Sequence, residues 1–145
     1  MRIASAVALL LLASCKVSEP PAISVEDPWV RATVPGQTSS AAYFTIFNSG
    51  GADKLIAVSA TGASASLHST SIAGGVMRMR LLQSLDIPAD STVALDPGGI
   101  HIMLSNLRQP LSAGDTIRLQ LKFEKSGERP VDATVRPGAM PETQM

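Results

Sequence analysis

The stretch Thr116-Ile-Arg-Leu-Gln-Leu-Lys-Phe-Glu124 decides the fold class. Apolar and polar residues alternate along it, so Ile117, Leu119, Leu121 and Phe123 share one face and Arg118, Gln120 and Lys122 the other. A period of two belongs to a half-buried β-strand, whereas an amphipathic helix needs apolar residues three and four apart. Outward from this run, short segments rich in Val, Ile, Thr and aromatics recur about every ten residues. They are Ile23–Glu26, Trp29–Thr33, Ala41–Phe47, Lys54–Ser59, Ser64–Ser69, Val76–Arg80, Thr92–Leu95, Ile100–Ser105 and Val131–Val135.

Turn chemistry separates them: Pro35-Gly36, Asn48-Ser-Gly-Gly51, Gly74-Gly75, Pro97-Gly-Gly99, Ser112-Ala-Gly-Asp115 and Ser126-Gly127. No stretch after the first fifteen residues sustains a helical stripe. The chain is therefore expected to be all-β, an antiparallel β-sandwich or small Greek-key barrel.

The ends read differently. Met1-Arg2 precedes an apolar run, Ile3–Ala13, of eleven residues. As a helix that run reaches about 16 Å, roughly half of a hydrocarbon core, so it fits a signal peptide and not a membrane span. Its end, Leu12-Ala-Ser-Cys15, resembles a bacterial lipobox. That resemblance implies cleavage after residue 14, acylation of Cys15 and export of a lipid-anchored chain, with the only cysteine taken up by the anchor. Residues 15–22 then read as a lipidated tether carrying Pro20-Pro21, residues 23–135 as the folded domain, and residues 136–145 as a flexible tail.

Composition removes several function classes. The 145 residues hold 12 Lys+Arg and 12 Asp+Glu, which gives no basic excess for nucleic acid. Aromatics make up only 3%, too few for a base-stacking platform. A single cysteine excludes a disulfide framework, a CxxC redox pair and a multi-cysteine zinc site. A blue-copper electron carrier would need that thiolate beside two imidazoles, and Cys15 lies far from both histidines in the chain.

Soft side chains are concentrated in one place. Both histidines, His68 and His101, and every methionine of the predicted domain, Met77, Met79 and Met103, fall between residues 68 and 103. His101-Ile-Met103 is a period-two pair on one face of a strand, and Met77-Arg-Met79 repeats the arrangement with Arg78 and Arg80 turned the other way. Thioethers are poor ligands for zinc, magnesium or calcium; with imidazoles they suit Cu(I). Methionine in a strand is also an ordinary core filler. On these residues alone, a metal site and plain packing both stand.

The spacing of His68, Met79, His101 and Met103 resembles the signature of the periplasmic copper chaperones of the PCuAC type. Pro28-Trp-Val-Arg-Ala-Thr-Val-Pro-Gly36, Ala41-Ala-Tyr-Phe-Thr-Ile-Phe-Asn48, Gly74-Gly-Val-Met-Arg-Met-Arg80, Pro97-Gly-Gly-Ile-His-Ile-Met103 and Gly114-Asp-Thr-Ile117 extend the likeness over residues 25–135. The resemblance implies a cupredoxin-like β-sandwich and four Cu(I) ligands, His68, Met79, His101 and Met103. It also implies copper delivery toward respiratory oxidase assembly, alongside Sco-type proteins or an oxidase subunit, on the periplasmic side of the envelope. Two departures stand out. Ser69-Thr70 replaces a methionine that some members carry after the first histidine, and the tail offers only Met140 and Met145, so no cupric site is expected there.

Met77, about 6.8 Å along the strand from Met79, could be an alternate ligand or a docking sulfur during handover, and is expected to pack beside the site. Trp29 and Tyr43 are expected in the core. No GxSxG or HExxH spacing appears, and four soft ligands would leave no open position for a substrate, so no enzymatic activity is expected. Two other readings remain: a lipid-anchored immunoglobulin-like binding module without metal, and a copper storage or detoxification protein.

Overall fold

The computed structural model describes residues 18–138. The signal peptide, Cys15 and the tail methionines Met140 and Met145 lie outside the described residues. Within them the chain is all-β, with ten strands. These are β1 (Ile23–Arg31), β2 (Ser40–Asn48), β3 (Asp53–Ala60), β4 (Ser64–Ala73), β5 (Val76–Leu81), β6 (Leu85–Ile87), β7 (Ser91–Ala94), β8 (Ile100–Ser105), β9 (Thr116–Phe123) and β10 (Gly127–Arg136).

The alternation in β9 acts as expected: Ile117, Leu119, Leu121 and Phe123 are all buried, while Arg118 and Lys122 are exposed. The strands pair along the path β5-β4-β8-β2-β1-β10-β9-β3-β6, and β7 pairs with β2. Leu67 from β4, Leu55 from β3 and Ile87 from β6 lie in the same core cluster as Phe44, Ile102 and Leu121. Strands near opposite ends of the path therefore share one apolar interior, so the sheet folds over on itself into the two layers of a sandwich.

Three details depart from the sequence expectation. Ile23–Glu26 and Trp29–Thr33 are parts of one strand, β1, joined through a bulge where Asp27 takes a φ of 50° and the register shifts between Glu26 and Trp29. Beyond the bulge β1 gains a parallel neighbour, β10, pairing Trp29 with Thr134 and Arg31 with Arg136, so the sheet is mixed and not wholly antiparallel. β6 is three residues long, too short to show a period, and only its register with Lys54 makes it a strand.

At the boundaries, ordered contacts run past the expected domain limits. Ala22 accepts from Ser49 N, Pro20 accepts from Gly51 N, and Asn48 Oδ1 accepts from Ala22 N. A Cβ on Gly51 would lie 1.9 Å from the Glu19 carbonyl oxygen, so the glycine permits this close approach. At the other end, Arg136 closes β10 and pairs with Asp27.

The β4–β5 hairpin places the methionines. Ala73 pairs with Val76 across a two-residue turn, Gly74-Gly75, whose φ angles are 58° and 75°. Both values belong to the type I′ turn, which suits the twist of a hairpin and costs a residue with a Cβ about 1–2 kcal/mol. Replacing both glycines with alanine is expected to destabilise the hairpin by about 2–4 kcal/mol in total. Hydrogen exchange should show faster amides in residues 70–80 and unchanged protection in β9.

Candidate metal centre

Register brings the two histidines together. β4 and β8 are antiparallel with His68 directly opposite His101 and Ser66 opposite Met103. Cross-strand partners project from the same face, so His68, His101 and Met103 share one side of the sheet. The other side carries Leu67, Ile102 and Leu104 into the core. The histidine face is thus the outer face of this layer. The two imidazoles stack with centroids 6.0 Å apart and planes 21° apart. The two rings are close enough that a modest side-chain adjustment would let one ion bond a nitrogen of each at about 2 Å.

The same face carries the thioethers. Thr70, two residues beyond His68, pairs with Met79, and Ile72 pairs with Met77. Met77, Met79, His101 and Met103 line one cavity of about 600 Å3, together with Arg31 and Tyr43. His68 is not in that lining; it lies behind His101, part-buried, and reaches the cluster through the stacked pair. His101 is 5% exposed, whereas Met79 is 51% and Met77 66% exposed. The imidazoles are therefore fixed by their surroundings, and the hairpin sulfurs stand at the rim.

Hydrogen bonding leaves a nitrogen lone pair on each ring. His101 Nδ1 lies 3.2 Å from the Gly99 carbonyl oxygen, which can only accept, so Nδ1 carries the proton and Nε2 the lone pair. His68 Nε2 lies 2.9 Å from Ser66 Oγ, while its Nδ1 is buried with no hydrogen-bond partner. The Ser66 hydroxyl can accept from Nε2–H or donate to Nε2; in the first arrangement Nδ1 holds the lone pair that an ion would take. A buried nitrogen without a partner is costly unless something fills it, and a ligand on this face would do so.

The electrostatics favour neutral donors. Burial lowers the His68 pKa, and the neighbouring His101 pushes it the same way. Burial raises the Tyr43 phenol, against a smaller opposing effect of Arg31, so the hydroxyl stays protonated. Among the described residues, no group of three or more His, Cys, Asp or Glu could hold a metal. Asp53 is buried but saturated by Lys54 N, Lys125 N, Ser126 N and Ser126 Oγ. Its burial pushes the carboxyl up, yet these donors outweigh that and hold it below its ordinary value.

Several neighbours escaped the sequence reading. Tyr43 is buried, as expected, but on the outer face and outside the main apolar cluster, where Trp29 is only half-buried: Trp29 lies 4.7 Å from Tyr43, and Tyr43 6.4 Å from His101, so four rings form a row ending at His68. The parity of Ala42-Tyr-Phe44 carried that signal, since Ala42 and Phe44 face the core and Tyr43 must face away. Arg31 stacks over Tyr43 at 5.8 Å and Arg136 over Trp29 at 5.7 Å. Ser66 could have been found as the same-face residue before His68. Arg78 and Arg80 are exposed, as expected.

Solved structures share this architecture. The chain superposes on a copper-bound PCuAC domain from PmoF2 with a TM-score of 0.68 and 30% identity, over 80% of this chain and 93% of that one. It also matches apo-DR1885 from Deinococcus radiodurans (TM-score 0.64, 31% identity, 96% and 95% covered) and the CuI form of the same protein (0.62, 30%, 88% and 85%). The fold is thus the cupredoxin-like β fold of PCuAC domains. Residues 23–135 match the family model described as "Putative lipoprotein LpqE-like", and the chain belongs to that LpqE-like family. A relative from Leifsonia xyli subsp. xyli, "Putative lipoprotein Lxx21020", is 37% identical over 117 residues, 79% of this chain and 69% of that one.

A pH effect on the metal-free protein follows from His68. Its folded pKa is lowered, so between the unfolded value near 6.5 and the folded value the unfolded chain binds more protons. Stability is expected to fall as pH drops through that window, and His68→Gln should remove this part of the slope in urea titrations.

Proposed function

We propose that this chain is an extracytoplasmic Cu(I) metallochaperone that holds its cargo with His68, Met79, His101 and Met103. The observation that carries the reading is the convergence of two imidazoles and the thioethers on one sheet face, in the fold of copper-bound PCuAC domains. Two thioethers and two imidazoles give a neutral, soft donor set, which favours Cu(I) over Cu(II), zinc or a hard cation. That preference weighs against cupric storage. Four protein donors fill the coordination of a cuprous ion and leave no position for a substrate, so the protein carries copper and does not catalyse a reaction.

The exposure gradient suggests the order of handover. Met79 is half exposed and sits on an edge hairpin, whereas His101 is buried. A partner sulfur can therefore replace the Met79 thioether first, with the imidazoles retaining the ion until the partner has supplied enough ligands. Met77, on the same face and more exposed, stands at the cavity rim beside the site. The recipient in this reading is a copper protein of respiratory oxidase assembly, either a Sco-type protein or an oxidase subunit. An anchor at Cys15 would keep the domain at the periplasm-facing membrane surface, consistent with the lipoprotein names of the family and its relative.

Anaerobic Cu(I) titration of the full chain in detergent, against a chromogenic chelator, tests the assignment. One equivalent is expected for the wild type. Loss of a direct ligand should cost at least the about 10–100-fold seen for outer partners, so His68→Ala and Met103→Ala should each fall by that much or more. A folded wild type that binds no copper would favour the metal-free binding module.

A further inference from the structure

The structure points to a second feature beside the metal cluster. We propose that the free edge of β5, with the rim of the cavity, is the docking surface for an extended acidic segment of the copper-exchanging partner. The proposal rests on the metallochaperone reading and names the surface through which its site meets that partner.

Among the described residues β5 ends the strand path and pairs with β4 alone, so its outer edge presents unpaired backbone donors and acceptors. All six of its residues are exposed. Free edges of this kind are usually short, covered or broken, because they template pairing with another chain. Here the edge is also apolar: Val76, Met77, Met79 and Leu81 of β5, with Ile72 beside them on β4, are each between 51% and 68% exposed. The strip is continuous with the sulfur rim of the cavity.

Charge selects the occupant. Between Asp53 and Asp86 the sequence has no acidic residue, while Arg78 and Arg80 project from β5. Among the described residues neither is in an ion pair; the salt bridges are Lys54–Asp86, Arg118–Asp132 and Arg136–Asp27. Arg31 lies on the other, methionine-bearing face at the cavity wall, its Nε buried and, among the described residues, without a hydrogen-bond partner. Bound Cu(I) adds another positive charge.

A second copy of this chain is a poor occupant. Two β5 strands paired antiparallel would set Arg78 and Arg80 against their own counterparts, and like charges across a strand pair are destabilising. A strand with Asp or Glu at alternate positions places carboxylates on the arginine face. Its intervening residues then fall on the Met77 and Met79 face, where a partner cysteine or methionine would lie beside the copper. One backbone register would deliver charge pairing and ligand exchange together.

Fluorescence anisotropy of two short labelled peptides on the detergent-solubilised full chain tests this, one alternating Glu with Val and the other Lys with Val. The Glu peptide is expected to bind about tenfold or more tighter than the Lys peptide, and to weaken between about 20 mM and about 150 mM salt. Arg78→Glu with Arg80→Glu should reverse the preference, while Arg129→Glu, away from this edge, should leave it intact. Equal binding of the two peptides, a preference that survives the double reversal, or a wild-type dimer in sedimentation that protects β5 amides would overturn the proposal. Cu(I) stoichiometry measured on the same samples separates the two readings. A double variant that still binds one equivalent but loses the peptide preference supports the surface. A wild type that binds no copper overturns the metallochaperone reading, and with it the copper role of the partner, whatever the peptides show.

Discussion

The antiparallel register of β4 on β8 is the constraint on which the site depends. It sets His68 opposite His101 and Ser66 opposite Met103, and the β4–β5 and β2–β8 pairings then bring the methionines and Tyr43 to the same face. A slip of one residue would turn Leu67 outward and His68 into the apolar interior, because side chains alternate with a period of two. The register is held by the core: Leu67, Ile102 and Leu104 on the inner face are buried among residues from six other strands. Burial of inner-face residues that touch no ligand thus fixes the placement of outer-face residues that do.

The outer face combines rigidity with access. Trp29, Tyr43, His101 and His68 form a row of rings, braced by Arg136 over Trp29 and Arg31 over Tyr43. Gly99 and Ser66 orient the two imidazoles through one ring nitrogen each, leaving the other free. Such partners fix ring orientation at metal sites generally. Across the same face, the β4–β5 hairpin carries its sulfurs at the solvent boundary, where a ligand can be exchanged without opening the core. A metal carrier needs both parts, since it must hold its cargo firmly and also let it go.

Much of this was legible in the sequence. Alternation in Thr116–Glu124 and turn signals at regular intervals identified an all-β chain, and β9 buries the four residues that its pattern selects. The period-two pairs His101/Met103 and Met77/Met79 showed which soft side chains share a face. Long-range pairing was not legible. Nothing local to Ile23–Arg31 shows that its second half turns to β10 for a parallel neighbour, because the bulge at Asp27 depends on contacts with two distant strands. Tyr43 and Trp29 read as core aromatics in the sequence, and Tyr43 is buried, yet both lie on the outer face. Their place in the ring row depends on which face of β2 the histidines occupy, and that is set by the pairing of β8 with Ala41 and Ala42.

The central claim is a mixed nitrogen and sulfur cuprous site built on one face of β4, β5 and β8. X-ray absorption at the copper edge of the Cu(I)-loaded full chain tests it most directly. The account predicts a cuprous edge with two imidazole nitrogens and two thioether sulfurs in the first coordination shell. A shell of nitrogen and oxygen alone, without sulfur, would contradict it.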